Sequence, residues 1–152
     1  MSKMRKAFIA RLVLFVVLWL AGCSFFSEPI DISGLWVGSL LWTDGPAAQF
    51  TSPIRLDLIH MDRDLTGTVT VDGPGSEPLV LEITDGYART VSMSLEASGA
   101  APTNPPQDVE IELEADFLET QMSGTGAQTI NGRTYHFTWE AVLVAPAVPP
   151  AE

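Results

Sequence analysis

Two histidines and nineteen carboxylates supply most of the acid–base and metal chemistry open to this 152-residue chain. His60, Asp62 and Asp64 stand close enough in sequence to offer a cation one nitrogen and two oxygens. Asp-Arg-Asp after an alternating run is also how a hairpin turn is written, because an Asp side chain bonds the backbone that follows it. The glycine and distal glutamate of a calcium loop are missing. Glu110, Glu112, Glu114 and Asp116 form a comb of carboxylates, but residues two apart on a strand face the same way. The comb therefore reads as a solvated stripe and not as the opposed acid pair of a glycosidase. His136 alternates with apolar neighbours and is expected to point outward. Ser33 and Ser39 lack the Gly-x-Ser-x-Gly elbow that exposes a nucleophilic hydroxyl. The one cysteine, Cys23, can form neither an intrachain disulfide nor a thiolate zinc cluster. No catalytic residue, metal or cofactor is expected, and an envelope hydrolase is the most distant alternative. Trp36, Tyr135, Phe137 and Trp139 remain, as aromatic side chains that either fill a core or line a site for an apolar small molecule.

The formal charge of −11 argues against a nucleic-acid partner, which requires a basic stripe to displace counterions from phosphate. Half of the basic residues cluster at the start, where Lys3, Arg5, Lys6 and Arg11 precede the apolar run Leu12 to Leu20. That run is about half as long as a bilayer-spanning helix and has the flanks of a signal-peptide core. It closes on Leu20-Ala21-Gly22-Cys23, which resembles the lipobox of bacterial lipoproteins. The resemblance implies cleavage of residues 1–22, a lipid on the Cys23 thiol, acylation of the new amino group, and a tether over 23–31. Beyond the leader the chain keeps Arg55, Arg63, Arg89 and Arg133, no lysine, and all 19 acids. So acidic a domain cannot be held on a membrane by basic residues. The acyl chains must do it, at about 0.8 kcal/mol per buried CH₂. Ser24 stands where, in enteric bacteria, an Asp resembles an inner-membrane retention signal. The expected address is the cell envelope: the outer membrane facing the periplasm, or the outer face of the cytoplasmic membrane where there is one membrane.

The elements that must position any site are short and alternating. The pattern predicts eight strands over 32–42, 52–61, 65–72, 78–84, 87–97, 108–117, 120–126 and 133–144. The sixth is clearest, with Val109, Ile111, Leu113, Ala115 and Phe117 alternating with acids. Turns are expected at Asp62-Arg63-Asp64, Asp85-Gly86 and Asn131-Gly132, the last two being dipeptides that tolerate positive φ. Ser98 to Gln107, rich in proline, reads as an open loop, and 145–152 as a disordered Pro/Ala tail. Eight such strands must hide their edges. An eight-stranded antiparallel up-and-down barrel over 32–144 is expected, with a β-sandwich as the alternative. Gly34-Leu35-Trp36-Val37-Gly38, with Leu65-x-Gly67 and Met122-x-Gly124, resembles the lipocalin and avidin-like group of small barrels. That resemblance implies a barrel with the Trp36 indole at one end; the final helix of lipocalins has no counterpart.

Alternation assigns an apolar interior: Trp36, Leu40; Ile54, Leu56, Leu58; Leu65, Val69, Val71; Leu79, Leu81, Ile83; Val91, Met93, Leu95; Val109, Ile111, Leu113, Phe117; Met122; Tyr135, Phe137 and Trp139. Gly67, Gly124 and Gly126 share this side and are expected to leave room for the rings. Alternation fails on the first and last strands, whose outward side carries Leu35, Val37, Leu41, Val142 and Val144. In a closed meander these strands are neighbours, so the five are expected to form one external patch for an envelope protein partner or for self-association. The chain thus reads as a lipid-anchored, non-enzymatic binding or structural module, with a carrier of a small apolar ligand as the alternative.

Overall fold

The computed structural model describes residues 30–72 and 77–146; the leader and Cys23 lie outside them. Eight strands follow one another: β1 (Gly34–Trp42), β2 (Thr51–Met61), β3 (Asp64–Val71), β4 (Leu79–Ala88), β5 (Ser92–Ala101), β6 (Gln107–Leu118), β7 (Gln121–Ile130) and β8 (Arg133–Pro146). Each pairs antiparallel with the next, and β1 closes on β8, giving an up-and-down barrel without a free edge. Strict alternation of burial along β6 is the sequence pattern made visible. Its valine, isoleucine, leucine and phenylalanine face in, and its acids face water.

Side chains fill the interior. Trp36, Leu40, Leu56, Leu58, Val69, Leu81, Val109 and Leu113 are wholly excluded from solvent and belong to one continuous cluster with Phe137 and Trp139. Gly126 makes this possible, because it stands opposite Phe137 and a methyl group there would collide with the ring. Gly67 and Gly124 do otherwise: a side chain on either would strike the backbone of the neighbouring strand, not a ring.

Three expectations need correction. Asp85-Gly86 is not a turn but lies within β4, where a bulge between Ile83 and Asp85 shifts the register. Gly86 is buried, and a Cβ on it would sit 3.1 Å from the Cβ atoms of both Leu65 and Leu95. The glycine is there for close packing. The chain turns instead at Arg89–Val91, closed by Arg89 N–H donating to Ser92 O at 2.7 Å, so Val91 is 53 % exposed and not interior. β5 in turn runs into the expected loop, to Ala101, and β8 runs through Ala145 to Pro146, past the expected start of the tail.

The two ends of the barrel differ. At one end β1 begins, β8 finishes, and three short turns join β2 to β3, β4 to β5 and β6 to β7. Ile32, just before β1, is buried across this end. Its carbonyl accepts a hydrogen bond from the Trp36 indole at 2.9 Å, the position that a small-barrel Gly-x-Trp implies. The other end carries the longer connections 43–50 and 102–106 and the described residues Asp72 and Glu77, beside the two-residue turn Asn131-Gly132, both of whose residues have positive φ.

Candidate functional site

The loop-bearing end holds a recess of about 530 Å³ between the ends of six strands. Trp42, Val71, Leu79 and Ala101 supply apolar wall, Pro102 stands at the entrance, and Ser52 and Gln128 also line it. Ser52 and Gln128 are the polar residues buried among the described ones, at 3 % and 6 % exposure. The Ser52 hydroxyl accepts a 3.3 Å bond from the Trp42 indole. The Gln128 side chain faces the recess; among the described residues the buried polar side-chain atom left without a partner is His60 Nε2, at the opposite end. Asp72 and Glu77 also border the recess and give its rim negative charge.

Alternation places both polar residues. Ser52 precedes Ile54, Leu56 and Leu58 on the inward side of β2, and Gln128 follows Met122, Gly124 and Gly126 on that of β7. Ending β7 at residue 126 hides Gln128 from a sequence reading. The signal was parity: a glutamine in the inward phase, two residues beyond the inward-side Gly126.

The four aromatic candidates do not converge on a cavity. Trp36 is buried at the short-turn end. Trp139, 3 % exposed, donates from its indole to Thr125 O at 3.2 Å. Phe137 is buried and meets the Trp42 ring edge-on at 5.1 Å, while Tyr135 is half-buried beneath Gly45 of the 43–50 loop. Trp36, Phe137 and Trp139 are core, Tyr135 packs at its edge, and Phe137 supports the recess through Trp42.

His60 faces inward at the short-turn end, its side chain 3 % exposed, whereas Asp62 lies in the turn with positive φ and Asp64 is exposed. The His60 Nδ1 accepts from Ile32 N–H at 3.4 Å, and its Nε2 has no partner. Among the described residues no group of three His, Cys, Asp or Glu is gathered as a metal would require. Ser33, through its hydroxyl and then its backbone N–H, holds the Asp31 carboxyl below the ordinary aspartate range. His136 points outward. Asp44 receives both its ring Nδ1, at 2.7 Å, and its backbone N–H, at 2.8 Å. Those bonds, the ring's first, keep the Asp44 carboxyl below its ordinary range. No hydroxyl bonds to either histidine ring among the described residues. The carboxylates of β6 lie exposed in a row.

Leu35, Val37, Val142 and Val144 adjoin across the β1–β8 seam, where a bulge between Leu35 and Trp36 accommodates the register. Leu41 is parted from them by the Ser39–Glu140 pair. The seam borders a groove of about 840 Å³ that reaches across β7 to Leu118 and Val91, with Asp116 and Glu140 on its sides. Cys23 lies outside the described residues.

No protein-family model, no curated protein and no solved structure matches the chain.

Proposed function

We propose that this chain is a lipid-anchored, non-enzymatic binding protein of the cell envelope that holds a small uncharged molecule at the open mouth of its barrel. The observation that carries it is the placing of Ser52 and Gln128, the polar side chains buried in the described barrel besides that of His60, in one mainly apolar recess. A ligand with an apolar body fits Trp42, Val71 and Leu79, and a hydroxyl, carbonyl or amide on it would satisfy Gln128. Asp72 and Glu77 disfavour anions by like-charge repulsion. The filled interior keeps the ligand in the mouth, not in the middle of the barrel. Lipid anchoring is supported by the n-region, the apolar run and Leu20-Ala21-Gly22-Cys23, and Ser24 favours the outer membrane where there are two.

Titration with the uncharged dye Nile red tests the mouth. Saturable fluorescence enhancement is expected, and Ala47→Trp, which fills the recess from the 43–50 loop, should abolish it. Enhancement unchanged by that substitution would remove the ligand from this site. Fatty-acid labelling tests the anchor separately: Cys23→Ala should lose the label, and equal labelling would refute lipidation there.

A further inference from the structure

The short-turn end carries apolar residues that the fold does not use. Each of its three turns presents one beside its tip: Met61 is 62 % exposed, Val91 53 % and Leu118 73 %. Ile30 and Val144, at the two ends of the described chain, are also exposed at this end. Exposed aliphatic side chains are ordinary when scattered. Here they share one end of a barrel, and the backbone holds them there. Ala88 N–H donates to Arg63 O at 2.8 Å, Phe117 N–H to Val91 O at 2.8 Å, and Leu143 N–H to Thr120 O at 2.9 Å, so each turn is tied to another strand. Beside them stand Tyr87, 44 % exposed, and Arg89, whose guanidinium lies 5.5 Å from the Tyr87 ring centre. An amphipathic ring beside a guanidinium suits the headgroup layer of a bilayer.

We infer that this end of the barrel rests on the lipid surface, with Met61, Val91 and Leu118 entering the headgroup layer and the ligand mouth facing away. The inference builds on the lipid-anchor proposal. Residue 30 enters the barrel at this end, and seven chain steps, through six intervening residues, lead from Cys23 to Ile30. Even fully extended they reach about 25 Å, so an acylated Cys23 keeps this end, and not the mouth, beside the membrane. Arg63 and Arg89 are accompanied here by Asp31, Asp62, Asp64 and Glu119. The surface that fits is therefore zwitterionic, and binding is driven by buried apolar area more than by charge.

The test uses the full acylated chain in phosphatidylcholine vesicles. Lipidation occupies the only native thiol, so Thr120→Cys and Arg133→Cys each offer one thiol to an environment-sensitive fluorophore, at the short-turn end and the mouth respectively. Emission at 120 should shift to the blue and be several-fold less quenched by aqueous iodide than at 133. Adding Val91→Glu and Leu118→Glu should restore quenching at 120 while the protein stays vesicle-bound. Equal quenching at both positions in an acylated, vesicle-bound protein would overturn the docking and leave the anchor standing. Protection at 120 that disappears on diluting the protein in lipid would overturn it in favour of contact between copies. A mass showing Cys23 without acyl chains, in protein that does not float with vesicles, would overturn anchor and docking together.

Discussion

The two ends of this barrel solve the same problem in opposite ways. A closed ring of strands removes sheet edges but leaves two open mouths over an apolar core. At the short-turn end the chain covers the mouth itself: Ile32 lies across it, and the Trp36 indole bonds the Ile32 carbonyl. At the far end a tryptophan again sits near the opening, but Trp42 bonds a side chain, Ser52, and both it and Gln128 line a recess. One end is closed by the chain packed over it, although His60 Nε2 stays there without a partner. The other leaves a recess into which Ser52 and Gln128 present polar groups.

Removing the plug should have the largest effect. Trp36→Ala deletes a fully buried indole and orphans the Ile32 carbonyl, so a loss of about 3–5 kcal/mol is expected in denaturant melts. Tyr135→Ala, at the half-buried mouth, should cost clearly less. If the two losses were equal, or the order reversed, the strap would not be what closes the barrel. Next in size is Gly86→Val. With a Cβ only 3.1 Å from the Cβ atoms of Leu65 and Leu95, the added methyls must push two core leucines apart, at about 1–3 kcal/mol. A neutral melt would mean that β4 can bow outward there and that this end is softer than its packing implies.

These cases also mark what the sequence could tell. The period of two on β2, β6 and β8 gives the facing of those strands, because each apolar residue in phase must find the same core; closure into a barrel, against a β-sandwich, is decided by the β1–β8 pairing. Asp85-Gly86 misled because a glycine needed for close packing is spelled like one needed for a turn; only the neighbours Leu65 and Leu95 tell them apart, and they are distant in sequence. That error carried Val91 from a turn into the expected interior. The recess was hidden for a related reason: Trp42, Val71, Leu79, Ala101 and Gln128 come from five strands, and no local spacing announces their meeting. The aromatic residues advertised a site and are core, with Phe137 packed against a residue of the recess, Trp42.

Gln128→Leu sharpens the contrast between the ends from the other side. Gln128 is 6 % exposed and lines the recess, so replacing its amide by an apolar group of similar size should stabilise the protein, by at most about 1 kcal/mol, read as a slightly higher melting midpoint. The same substitution should weaken binding of a hydrogen-bonding ligand. Stability gained with binding lost is the signature of a residue kept for function. A fall in stability would mean that Gln128 has a structural partner, and the mouth would then be as finished as the opposite end.

The smallest expected effect lies in the loop over the mouth. Asp44 holds that loop to β8 by accepting from the His136 ring and backbone, and the first of these bonds contributes most to its lowered pKa. A carboxyl whose folded pKa lies below its unfolded value adds stability above the unfolded value, about 3.9 for aspartate. That contribution is lost as pH falls through the lower folded value. Asp44→Asn should therefore melt slightly below the wild type near neutrality, and the two curves should converge as pH is lowered from about 5 to about 2. Because the pair is exposed, added salt should narrow the difference as well. Curves that stay parallel across that range would show that the carboxylate charge contributes nothing, leaving the 43–50 loop held by its backbone bonds, Trp42 N–H to Phe50 O and Gln49 N–H to Trp42 O. The mouth would then be built on the same backbone ties as the short-turn end.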